Sequence, residues 1–153
     1  MFRLGNRVVI AMLATSLALL GADMFSGTWK LNVAKSKYNP GPGPKSTTTV
    51  MKMEGDWMTA KGEGVDAAGK ATSSNNRYKY DGKEYPYKTA QVDGTISVKK
   101  TDDFHAESTT KGGKANVTTK TEISKDGKTR TQTSTGTNAE GKATNNVVVW
   151  DKQ

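Results

Sequence analysis

Groups able to do chemistry are scarce in this chain. His105 is its only histidine, with Asp102, Asp103 and Glu107 close by in sequence. A metal ion would need such donors, but one imidazole among loosely placed carboxylates lacks the spacing of a zinc or calcium site. Asp102-Asp103 reads first as a turn. There is no cysteine, and the serines sit in no nucleophile motif. The expectation is a protein that is not an enzyme and holds no metal or cofactor. Asn116-Val117-Thr118 fits a glycosylation sequon, a pattern short enough to arise by chance.

Groups able to hold a flat or hydroxylated ligand are better represented. Tyr78 and Tyr80 share one face of a segment, and Tyr85 and Tyr87 share one face of the next. The intervening Asp81-Gly82 turn would fold these segments into a hairpin. Such an array is a stacking surface at a binding site, or simply a set of cross-strand pairs that stabilise the hairpin. Trp57, beside Met58 after the Gly55-Asp56 turn, is a rim aromatic if it faces outward and core if inward. These five residues, Trp57, Tyr78, Tyr80, Tyr85 and Tyr87, are the candidate ligand contacts.

Hydroxyls form a second pattern. Thr129, Thr131, Thr133, Thr135 and Thr137 alternate along one segment, with Thr119 and Thr121 on the segment before. A flat threonine array resembles some ice-binding surfaces, but a twisted sheet makes a poor flat array. Facing inward, the comb would line a hydrated lumen and favour a polar ligand.

The elements that must position these groups are strands. Glycine-containing turns recur at Gly55, Gly69, Gly82, Gly94, Gly113, Gly127 and Gly141. Segments between them alternate or are rich in β-branched and aromatic residues. Strands are predicted near 27–34, 46–54, 57–65, 71–80, 84–88, 95–100, 104–110, 116–124, 129–137 and 143–151. Short strands joined by tight turns make an antiparallel meander, and ten with matching ends favour an up-and-down barrel. Pro86 marks an edge or a bulge. No stretch beyond residue 22 has helical periodicity.

The first strand sets the architecture. Trp29, Leu31 and Val33 alternate with polar residues, so all three are predicted on one face. Gly27 before them allows a bend or a close approach. Gly27-Thr28-Trp29 resembles the Gly-x-Trp motif of the lipocalin and fatty-acid-binding (calycin) group, and Gly-Thr-Trp-Lys-Leu is similar to the start of many intracellular lipid binders. The resemblance implies an all-β antiparallel barrel of about 8–10 strands in which Trp29 plugs the closed end. It also implies that the first and last strands lie side by side, with Lys152, after Trp150, covering the plug. Gly27, Trp29, Trp150 and Lys152 are thus the expected barrel-closing residues. The helical lid of that group has no counterpart, because Lys37 to Lys45 carries Tyr-Asn-Pro-Gly-Pro-Gly-Pro between lysines. Val148 stands where the group's carboxylate-holding arginine would fall, so that clamp is not carried over. The nearest likeness is to small exported bacterial lipocalin-like proteins.

Met1 to Ala22 reads as a secretory signal, with Arg3 and Arg7 before an apolar run from Val8 to Leu20. Residues 23–153 then form one domain, expected in the periplasm or outside the cell, with no transmembrane anchor after cleavage. The formal charge of +8 falls to +6 without those two arginines. The lysines are spread over turns and strands, which suits a solvated, edge-protecting surface. Nucleic acid is not an expected partner. A small-molecule ligand is, together with anionic polysaccharide or lipid head groups. The reading is a monomeric small-ligand carrier. The alternative is an envelope-associated barrel, packed shut, whose basic surface meets anionic polymers.

Overall fold

The computed structural model describes residues 23–153, and the expected signal, Met1 to Ala22, lies outside the described residues. Ten strands follow in order: β1 (Gly27–Leu31), β2 (Ser46–Glu54), β3 (Trp57–Val65), β4 (Ala71–Tyr78), β5 (Asp81–Lys88), β6 (Asp93–Lys100), β7 (His105–Gly112), β8 (Ala115–Ile123), β9 (Thr129–Thr137) and β10 (Ala143–Lys152). All pairings are antiparallel, in the order β4-β3-β2-β1-β10-β9-β8-β7-β6-β5. The first and last strands do meet, with Trp29 opposite Lys152 and Leu31 opposite Trp150. Alternating turns define two ends. The 37–45 loop and the turns at 66–70, 89–92, 113–114 and 138–142 surround a mouth, while the turns at 55–56, 79–80, 101–104 and 124–128 lie at the floor.

The core sits at the floor. Phe25, Trp29, Met58 and Ile123 are its largest fully buried side chains. The segment before β1 folds beneath the barrel, where the Trp29 indole Nε1 donates to the Phe25 carbonyl at 2.9 Å. Gly27 has φ +133°, and a Cβ there would lie 2.5 Å from the Lys152 Cε. Glycine therefore does two things at once. It permits a conformation that L side chains rarely adopt, and it clears the path by which Lys152 reaches the Trp29 ring, its Nζ 5.1 Å from the centroid.

Two sequence expectations need correction. Val33 does not join Trp29 and Leu31 on the inner face; it is 50% exposed. The strand ends at Leu31 because Asn32 caps a short 3-10 helix (Val33–Lys35), its side chain accepting from the Lys35 amide. Asn32 also donates to Asp151 at 2.7 Å, which pins that kink to β10. Beyond it the chain rejoins β10 through Lys37 and Val147, which exchange backbone hydrogen bonds of 2.7 and 2.9 Å. The Pro-Gly loop is thus tethered at the mouth.

The second correction concerns the aromatic hairpin. β4 and β5 are consecutive but form no ladder, and the sheet's two ends lie there. Asn76 spans this gap with its side-chain amide, accepting from the Lys88 N–H at 2.8 Å and donating to the Lys88 carbonyl at 3.0 Å. One buried amide thus supplies the two bonds a partner strand would have made. Pro86 stands on β5, the strand beside the gap, where its missing N–H is tolerated. The irregularity in β5 falls earlier, between Asp81 and Glu84.

Gly27→Ala is expected to lower stability by about 1–3 kcal/mol, the usual cost of forcing a side chain into sparsely populated backbone space. Urea denaturation followed by tryptophan fluorescence checks it; an unchanged midpoint would mean the backbone there relaxes freely.

Candidate ligand-binding lumen

Inward-facing residues enclose a cavity of about 920 Å³ that runs from the mouth toward the floor. Its polarity is graded, because strand register stacks like residues at like heights. Toward the mouth, the wall carries Thr47 and Thr49 of β2, Thr72 and Ser74 of β4, Ser108 and Thr110 of β7, and Thr144 and Asn146 of β10. Lower down it carries more apolar groups, Met51, Tyr78, Ile96, Val98, Ala106 and Trp150, together with Thr121 and Gln132 at the height of Ala106. A second hollow of about 490 Å³ beside the β4–β5 gap shares Gly62, Ser74 and Thr89 with the main cavity.

The threonine comb is not part of this wall. Arg130 and Gln132 of β9 line the cavity, so the alternating Thr129, Thr131, Thr133, Thr135 and Thr137 face outward, Thr131 and Thr133 beside Glu122 and Lys120 of β8. Thr119 and Thr121 do face inward, paired with Ser134 and Gln132. Apart from Thr119 and Thr121, the hydroxyl lining comes from strands that sequence reading had not singled out.

The five aromatic candidates separate. Tyr78, Tyr80 and Tyr87 line the cavity. Trp57 lies on the opposite side of β3 from the buried Met58, under the cations of Arg77 at 4.5 Å and Lys79 at 4.9 Å. Tyr85 meets it edge-on at 5.3 Å and donates its hydroxyl to Asp81. Neither Trp57 nor Tyr85 is among the cavity-lining residues. At the mouth, the Pro-Gly loop contributes Tyr38 and residues 40–44 to the lining. A Cβ on Gly43 would run into the Tyr38 ring, so that glycine is needed for the loop to fold onto itself. Burial raises the Tyr38 hydroxyl above its ordinary pKa.

The residue that sequence reading missed is Arg130. It lies between threonines of the comb, and nothing local sets it apart. In the fold it is 4% exposed at the floor of the lumen. Its guanidinium lies 5.1 Å from the Trp29 ring and 4.6 Å from the Trp150 ring. Trp150 is itself oriented by Gln132, which accepts its indole N–H at 2.8 Å. Burial pulls Arg130 below its ordinary value to about 10, against the opposing influence of Tyr78 and Tyr80, so it remains a cation at neutral pH. Its Nη1 points at the Met51 sulfur, a weak acceptor, and its Nε has no partner among the described residues. The Tyr80 hydroxyl is likewise buried without a partner. Burial raises the pKa of both Tyr78 and Tyr80, keeping them neutral.

Elsewhere, the described residues contain no cluster of three or more metal-ligating side chains. His105 pairs with Asp102 at 2.8 Å on the exposed surface. No described helix is long and apolar enough to cross a membrane.

Comparison with solved structures places this chain among calycin-type barrels. It is similar to a Schistosoma mansoni fatty acid binding protein in complex with arachidonic acid, with TM-score 0.59 and 18% identity over 85% of this chain and 96% of that one. A mutant of the fluorescent protein UnaG gives TM-score 0.61 and 20% identity, covering 85% and 96%. Zebrafish ileal bile acid-binding protein complexed with cholic acid gives 0.51 and 17%, covering 85% and 99%. At these identities the likeness is one of fold. No family model matches the chain, and no curated protein matches it in sequence.

Arg130→Met should raise the stability of the empty protein at pH 7 by about 1–2 kcal/mol, since an apolar isostere of a buried unpaired charge is often the more stable choice. The two tryptophan contacts, worth roughly 0.5–2 kcal/mol each, offset part of the desolvation cost in the native protein and limit the gain. Folding disfavours the charged form. The penalty is therefore fully present below about pH 10, and the gain should shrink as pH rises from there toward the ordinary arginine value. Denaturant midpoints at pH 7 and pH 10.5 (roughly the start of that window) read both.

Proposed function

We propose that this chain is an exported, non-enzymatic protein that binds and carries one small amphipathic molecule inside its barrel. The observation that carries this reading is the 920 Å³ lumen, large enough for a drug-sized molecule and graded from hydroxyls at the mouth to apolar groups below. A barrel packed shut, as the envelope-associated alternative requires, would have no such space. Two proteins of the same fold, similar at 18% and 17% identity, are in complex with arachidonic acid and with cholic acid, which supports an amphipathic ligand here. The chemistry expected of the lumen is occlusion: apolar walls remove the ligand's body from water, while wall hydroxyls hold its polar end.

Export is supported by the basic start and apolar run of Met1 to Ala22, which would be cleaved to leave 23–153 as the single binding domain. The spread of surface lysines would keep the protein soluble and let it approach anionic envelope polymers without a dedicated site.

Native mass spectrometry of protein purified from its host is expected to show a bound small molecule. In vitro, the neutral fluorophore N-phenylnaphthylamine should bind one to one. Ser108→Trp, which puts an indole into the lumen, should weaken that binding at least about tenfold while leaving the β circular dichroism spectrum intact. Equal binding by the variant would move the site out of the lumen.

A further inference from the structure

We infer that the upper lumen is a sugar subsite, in which the wall of β2, β3 and β4 around Gly62 holds the head of a neutral glycoside whose apolar tail enters first. This rests on the lumen being the binding site, and it goes further by naming the chemical class of the ligand's polar end.

Strand register builds the subsite. Thr49 of β2 stands opposite Gly62 of β3, and Gly62 stands opposite Ser74 of β4. One row nearer the mouth, Thr47 and Thr72 flank Gly64 in the same way. A Cβ on Gly62 would lie 2.8 Å from the Ser74 Oγ and 3.7 Å from the Thr49 Oγ1, so a side chain there would fill the space between the two hydroxyls. Glycine leaves instead a strip of bare backbone with a hydroxyl on either side. Such a strip admits the face of a saturated ring and brings its edge within reach of both hydroxyls.

Hydroxyls of this lining are uncommitted. On β8 and β9 they pair across strands, Thr119 with Ser134 at 2.8 Å and Thr121 with Gln132 at 3.3 Å. Those of Thr49, Thr72, Ser74, Ser108, Thr110 and Thr144 bond to no other described residue, yet they are not sealed in. Among the described residues, the buried side-chain atoms without a partner belong to Tyr80 and Arg130. The free hydroxyls therefore open on the lumen that their residues line. Each can donate and accept at once, which is what each hydroxyl of a sugar requires of its partner.

A charged head matches this wall less well. Lys142, the cation among the residues that line the mouth, is held by Glu140 at 2.8 Å, and Asp66 adds a carboxylate. An anionic head would meet no free cation there, and a quaternary ammonium would leave every hydroxyl donor unused. Below, Met51, Ile96, Val98 and Ala106 take the tail.

The test compares amphiphiles that share an octyl chain and differ in the head: octyl glucoside, tetraethylene glycol octyl ether, octyl sulfate and octyltrimethylammonium. Each is titrated by calorimetry below its micelle-forming concentration, with N-phenylnaphthylamine as the headless probe. The glucoside should bind at least about tenfold more tightly than the other three, the worth of two hydrogen bonds. Thr49→Val and Ser74→Ala should each cut its advantage over the ether about fivefold, while the ether's Kd stays within about twofold. Either variant alone suffices if the other fails to fold. Equal binding of glucoside and ether, tighter binding of the sulfate or the ammonium, or an advantage kept in both variants would overturn the sugar subsite and leave the lumen reading standing. Binding of N-phenylnaphthylamine but of no octyl compound would do the same. Binding of none of the five would overturn the lumen reading as well.

Discussion

The fully buried ring of Trp29, approached by two cations, joins the segment before β1 to the last two strands. One face meets Arg130 of β9, and Lys152 at the end of β10 also reaches its ring. The indole N–H is satisfied by Phe25 in the segment before β1. A single fully buried ring therefore ties the start of the chain to its last two strands. The ring supplies a large apolar area and a negative face, which lets two positive side chains approach without a carboxylate between them. Gly27 belongs to the same device, since any side chain there would contest the space that Lys152 occupies. The Gly-x-Trp pattern thus has a local physical cause: the glycine makes room for the cation that covers the tryptophan.

The interior inverts the usual arrangement of a protein core. Hydroxyls line the upper lumen, apolar groups the middle, and an unpaired cation lies at the deepest point. Such a charge weakens the fold, since an aliphatic residue at this position is often the more stable choice. The neighbouring tryptophans offset part of its desolvation.

Between β4 and β5 the ladder is interrupted. Asn76 bridges it with a side-chain amide where backbone pairing stops, so two strands can diverge without abandoning their buried polar groups. The hollow outside the gap and the lumen share wall residues. At the floor end of the same gap, Trp57 and Tyr85 make an edge-on contact outside the cavity lining, with Tyr85 also packed against the core and two cations over Trp57.

The order and approximate limits of all ten strands were legible in the sequence, because glycine turns and period-two alternation are local properties. So was the meeting of β1 with β10, carried by Gly27-Thr28-Trp29 and by Trp150-Asp151-Lys152. Tertiary structure alone decided which face of each strand looks inward, since one residue of register exchanges the two sides. That is why the threonine comb turned outward while Thr119 and Thr121 turned in. It also decided that Asp81-Gly82 opens β5 instead of forming a hairpin turn, and that β4 and β5 part instead of pairing. Arg130 was invisible for the same reason: burial, a tryptophan on either hand and the want of a carboxylate are relations between residues far apart in the chain, and no stretch of sequence records them.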